Sequence, residues 1–146
     1  MFHDRTINRK INRLHERALK IVYNDYTATF EELLEIDASY TIHERNIQSL
    51  AIEMYKTKNN NNPKFMKDIF VEKRDIGCSL GSNNKQDFES MNIHKIRTGE
   101  NTLRYLGCKL WPLIPIEIKE TKSVDHFKTL IRKWKPTRCP FRMCTT

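Results

Sequence analysis

The chain of 146 residues has no run of 18 or more apolar residues, which excludes a transmembrane helix. Its first residues, Met1-Phe2-His3-Asp4-Arg5, lack the apolar stretch of a secretory leader. Cysteine is sparse. Outside a secretory context Cys78, Cys108, Cys139 and Cys144 read as reduced thiols, not as a disulfide framework. An intracellular protein is therefore expected, with nucleus and cytoplasm both open. No repeat of fixed period is visible, so a stacked-repeat architecture is not expected. Apolar residues are lean at 38% and charged residues rich at 30%, which suits one modest core with frayed ends and a loose middle.

What is abundant is positive charge. Lysine and arginine exceed aspartate and glutamate by enough to give a formal net charge of +8. An excess of that size attracts polyanions: nucleic acid, an anionic membrane face or acidic protein. The plainer alternative is a soluble protein that happens to be basic.

The periodicity predicts a mainly α-helical chain. From about Asp4 to Asn24, Ile7, Ile11, Leu14, Ala18 and Ile21 recur at spacings of four and three, one face of a helix that Asp4 can cap. Arg5, Arg9, Arg13, Arg17 and Lys20 form a second stripe, roughly 150° away by the helical period. Thr29-Phe30-Glu31-Glu32 is a capping box and should open a short helix with Phe30, Leu33 and Leu34 inward. Thr41-Ile42-His43-Glu44 is another, opening a long helix to about Lys58 that buries Ile47, Leu50, Ala51, Met54 and Tyr55. The Asn59 to Asn62 run reads as a loop, with Asn62 capping a short helix and Pro63 at its first position.

Between Glu72 and Ser90 the pattern fails, and Gly77, Gly81, Ser82, Asn83 and Asn84 suggest a flexible connection. Ile93 to Arg97 and Thr102 to Leu106 can pair as a short β-hairpin near residues 93–106, with Gly107 ending the second strand. Trp111, Leu113, Ile114, Ile116 and Ile118 are dense in apolar surface, while Pro112 and Pro115 forbid a long helix there. Ser123 caps a last helix, with Val124, Phe127, Leu130, Ile131 and Trp134 inward and Pro136 as its stop. The expected organisation is a helical group over 1–71, a flexible connection over 72–91, a hairpin, knot and last helix over 92–136, and a disordered cysteine-containing tail over 137–146.

Read in order, these pieces resemble a known family. They are N-R-K-I-N-R-L-H-E-R-A-L-K-I-V-Y-N-D-Y (Asn8 to Tyr26), F-E-E-L-L (Phe30 to Leu34) and I-H-E-R-N-I-Q-S-L-A-I-E-M-Y-K (Ile42 to Lys56). T-L-R-Y-L-G (Thr102 to Gly107) follows, leading into K-L-W (Lys109 to Trp111), then I-P-I-E-I-K (Ile114 to Lys119) and K-W-K-P (Lys133 to Pro136). The series is similar to the region after the polymerase domain in non-LTR retrotransposon reverse transcriptases of the jockey-like type. The resemblance implies an accessory module of an RNA-directed DNA polymerase, with RNA or DNA or the polymerase domain itself as partner, and a gene fragment or separate reading frame as its origin. The family's tail often ends in a C-x-C-x-x-C cluster; Cys139 and Cys144 match the outer positions and Phe141 replaces the middle one. The paired aspartates that a two-metal polymerase needs are absent from the sequence.

No catalytic residue and no cofactor are therefore expected. Arg5, Arg9, Arg13, Arg17 and Lys20, with Lys128, Arg132 and Lys133 as a second patch, are the candidate phosphate contacts; the alternative is a solvated outer face. Cys139 and Cys144 are candidate zinc ligands but fall short of the four that a structural site needs, unless His126 or Cys108 joins them. His15, His43, His94 and His126 are scattered and read as surface or capping residues. Trp111, Trp134, Tyr105 and Phe127 could stack on bases or fill the core, and core fits their helical spacing better. Three readings follow: a phosphate-binding module, a segment that packs on a polymerase domain, or a decayed relic. An exposed apolar patch would favour packing; a closed core under a continuous basic surface would favour binding.

Overall fold

The computed structural model describes residues 5–72, 88, 102–136 and 141. It is mainly α-helical, as the periodicity predicts. The helices are α1 (Arg5–Tyr23), α2 (Phe30–Ile36), α3 (Ile42–Lys58), α4 (Met66–Ile69), α5 (Leu103–Leu110), α6 (Ile116–Lys119) and α7 (Val124–Lys133), with a 3₁₀ turn at Trp111–Leu113. Among the described residues there is no strand, only a single antiparallel bridge between Glu72 and Phe88. The chain divides into two compact units between Ile47 and Gln48, within α3, and not in the 72–91 connection.

In the first unit, local polar contacts set the helix boundaries. The Asp25 carboxylate accepts from the Thr27 N–H at 2.9 Å, the Thr27 hydroxyl at 2.8 Å and the Ala28 N–H at 3.0 Å, which turns the chain between α1 and α2. Thr29 then caps α2. Its hydroxyl accepts from the Glu32 N–H at 3.3 Å, and the Glu32 carboxylate accepts from the Thr29 N–H at 2.8 Å. Thr41 and Glu44 repeat the arrangement at the start of α3. Asn12 of α1 accepts from the Ile42 N–H at 3.3 Å, tying two helices 30 residues apart. The core here is small: Leu19, Leu33 and Leu34, with Ala28 and Phe30 packed against them. Each buried leucine contributes about 1.5–3 kcal/mol.

The second unit is built on aromatics. Of the five residues expected to face inward from α3, all are buried; Leu50, Ala51, Met54 and Tyr55 belong to this unit. Tyr55 stacks on Phe127 with centroids 4.1 Å apart, and its hydroxyl donates to the Thr121 carbonyl. Phe88 stands edge-on to Phe70 and to Trp111, at 6.0 and 5.3 Å. Trp111 is fully buried, with the ammonium groups of Lys58 and Lys119 over its ring at 5.7 and 5.5 Å. The Ser123 hydroxyl accepts from the His126 N–H at 3.1 Å and caps α7 as expected. Gln48, buried, donates to the Arg132 carbonyl at 3.4 Å.

Several expectations are corrected. Thr102 to Leu106 is not a strand: Thr102 is the N-cap of α5, its hydroxyl accepting from the Tyr105 N–H at 3.4 Å. Residues 93–101, the other part of the expected hairpin, lie outside the described residues. Gly107 ends nothing but sits inside α5, where an added Cβ would stand 2.7 Å from Phe70 Cε1 and 2.9 Å from Met54 Sδ. Asn62 does not cap α4. It folds back on α3, donating to the Glu53 carbonyl at 3.0 Å and to the Thr57 hydroxyl at 3.0 Å. Asn60 reverses the chain there with φ +58°, a left-handed conformation that asparagine tolerates. The connection and the tail each supply a core residue: Phe88 and Phe141 are buried. Apart from Glu72, the remainder of the connection lies outside the described residues, as do Cys139 and Cys144.

Candidate binding surface

The first helix carries the candidate surface. Its apolar line is not covered: Ile7, Leu14 and Ile21 are 46%, 64% and 67% exposed, Ala18 is exposed and Ile11 is half-buried. The face that packs is a different one, running through Asn12, His15 and Leu19. His15 meets the Phe30 ring edge-on at 5.7 Å, so it is a packing residue and not a surface one. The physical reason is position. Helix α2 offers Phe30, Leu33 and Leu34 to the side of α1 that carries Leu19 and His15, roughly 100° round the helix from the open line.

Basic residues flank the open line. Lys10 and Arg17 lie three residues after Ile7 and Leu14, and so beside them on the helix surface. Lys10, Arg9, Arg13 and Arg17 are exposed. Lys20 differs, because its ammonium pairs with the Glu16 carboxylate at 2.8 Å. Arg5 begins the helix, and its side chain lies outside the described atoms. On α7, Lys128 pairs with Asp125 at 3.0 Å, while Arg132 and Lys133 are exposed. The two candidate basic groups thus lie on α1 in the first unit and on α7 in the second.

The remaining candidates divide. Trp111 and Phe127 are wholly buried and unavailable for base stacking. Tyr105 is half-buried, with the Lys109 ammonium 5.7 Å from its ring centroid, and Trp134 is half-buried at the end of α7. Cys108 is a half-buried thiol and His126 is exposed. His43 is half-buried at the start of α3, and His94 lies outside the described residues. Among the described residues no three His, Cys, Asp or Glu side chains are grouped to hold a metal, and no helix is long and apolar enough to cross a membrane.

The perturbed carboxylates are structural. Hydrogen bonds from Thr27 hold Asp25 below the usual carboxylate range, and those from Thr29 do the same for Glu32. Ser39 and Tyr23 lower Asp37, and the Tyr23 hydroxyl, which donates to Asp37 at 3.0 Å, is raised in return. All four groups hold turns or helix ends. In the open hollow lined by Asp25, Thr27, Ala28, Glu32, Glu35 and Ile36, the Asp25 and Glu32 carboxylates are therefore already committed to the fold.

Sequence reasoning missed Asn12 and Leu19 and gave Asn62 the wrong role. Each contact depends on which elements meet, and single-sequence periodicity does not carry that. Comparison of the chain with protein-family models, with curated proteins and with solved structures gives no match.

Proposed function

We propose that this chain is a non-catalytic accessory segment of the non-LTR reverse transcriptase type, held on a polymerase domain through the open apolar line of α1. The observation that carries the reading is the exposure of Ile7, Leu14 and Ile21 along one side of a regular helix. Contiguous apolar surface left to water is costly at about 25 cal/mol per Å², and patches of this kind mark interaction sites. The resemblance along the chain supplies the identity of the partner. The test is calorimetric titration of the purified chain with the reverse transcriptase domain of a jockey-like element. Binding is expected, and Leu14→Glu combined with Ile21→Glu should abolish it. Both sites are exposed, so the fold is kept. Absence of binding by the unaltered chain overturns the reading.

A second reading rests on a separate observation. Arg9, Arg13 and Arg17 are exposed at four-residue spacing, which suits a row of phosphate contacts to RNA or DNA. Lys20 is a weaker candidate for that role because Glu16 already pairs with it. Arg132 and Lys133 would form a separate patch. A salt series with single-stranded RNA and duplex DNA tests this. Changing Arg9, Arg13 and Arg17 to Gln should lower both affinity and salt slope if the row binds phosphate. If neither protein binds at low salt, the second reading fails.

A further inference from the structure

The exposed line of α1 also constrains the shape and charge of what covers it. Ile7, Ile11, Leu14, Ala18 and Ile21 alternate at four and three residues, the spacing of a coiled-coil seam. The seam spans 14 residue steps, about 21 Å at the helical rise. The small Ala18 near its end lets another backbone approach closely. A partner helix of about four turns matches this length.

The two borders of the seam are unlike. On one border, His15 and Leu19 are engaged with the first unit's own core. On the other, Lys10 and Arg17 stand exposed beside the seam, with Arg13 next to them. The sole acid of α1, Glu16, is paired with Lys20 and does not offset that border. An incoming surface therefore meets apolar side chains along its centre and an uncompensated row of cations along its open edge.

Resting on the docking reading above, we infer that α1 receives a second amphipathic helix, supplied by another protein, whose apolar seam is edged by acidic residues. Charge decides among the occupants. A second copy of this chain would bring Lys10 and Arg17 against cations of the same kind and add to an already basic total of +8. A nucleic acid would satisfy the cations and leave Leu14 and Ile21 in water. An anionic lipid surface would satisfy both, but the engaged border at His15 and Leu19 leaves only one cationic edge to flank the buried face. An acidic helix covers the seam and answers the single open edge.

The probe is a labelled peptide of about two heptads, the four turns that match the seam, with Leu at the seam positions and Glu at the flanks, titrated with the full chain. Its counterpart carries Lys at the flanks. The expected result is saturable binding of the Glu peptide, weakened about tenfold or more by Leu14→Glu. Lys10→Glu with Arg17→Glu should weaken the Glu peptide equally and admit the Lys peptide. Circular dichroism of each variant checks that α1 is retained. Equal binding of both peptides, or no effect of the charge reversal, overturns the inference. Self-association lost on Leu14→Glu would assign the face to a second copy, and binding to phosphatidylserine vesicles but not to the peptide would assign it to lipid; either overturns the inference. If the polymerase domain binds through Leu14 and the Glu peptide does not bind, the docking reading stands and the acidic-helix partner fails. If neither binds, both fail.

Discussion

The two units reach their structures by different means. The second is held by large side chains in mutual contact: Tyr55 on Phe127, and Phe88 between Phe70 and Trp111. The first has three leucines at its centre and relies on caps and turns to fix where its helices begin. A core of stacked rings resists local opening, because any opening exposes a large area at once. Polar caps act one turn at a time, so the first unit is the place for fraying and for an uncovered helix face. The difference teaches that one short chain can combine a rigid body with a part whose apolar surface exceeds what it can bury.

The sharpest way to break the contrast is Phe127→Ala. Removing a fully buried ring that stacks on Tyr55 should cost about 3–5 kcal/mol, and thermal melting followed by tryptophan emission should show it. Both tryptophans, Trp111 and Trp134, lie in the second unit, so this signal reports that unit. A loss below about 1 kcal/mol would deny the aromatic core its role. Next is Leu33→Ala, also fully buried but in a thin cluster that can partly collapse. Its cost should fall near the low end of such changes, about 2–3 kcal/mol. Hydrogen exchange in α1 and α2 should quicken, while tryptophan emission at ambient temperature stays unchanged.

Smaller still is Thr29→Ala, which removes one half of a capping box. It should cost about 1 kcal/mol and speed exchange at the start of α2, with Thr29→Ser restoring most of the loss. The smallest effect is that of acid. Asp25, Glu32 and Asp37 are all lowered by hydrogen bonds and all lie in the first unit. Groups with a lowered folded-state pKa add stability above their unfolded values and lose it as pH falls through the folded ones. Exchange protection in α1 and α2 should therefore decline below about pH 4, ahead of any change at Trp111. These carboxylates are exposed, so the decline is shallow.

Much of this was legible because the signals are local. The five inward residues of α3 follow from the helical period alone, and the capping boxes at Thr29 and Thr41 follow from residue types three apart. The last helix is legible for the same reason, from Ser123 at its start to Pro136 beyond its end. The segment from Thr102 was misread because Thr-Leu-Arg-Tyr-Leu alternates and is rich in strand-favouring types. The better signal was Leu103, Leu106 and Leu110 at spacings of three and four behind a capping threonine. Gly107 obscured it, because a glycine read without its neighbours marks a stop. For the candidate surface, sequence located the apolar and basic stripes of α1 but could not tell that the first lies open. That depends on which side of α1 receives α2, a property of the assembly and not of the helix.

Gly107 has a bearing on whether the chain is under selection. Every amino-acid substitution of a glycine adds at least one carbon, and at this position that carbon would collide with Phe70 and Met54. The site is therefore a one-way gate for genetic drift. Copies of the gene kept for a folded product should retain glycine there while Lys64 or Asn59, both at the surface, vary. Copies drifting as relics should lose it as readily as any other codon.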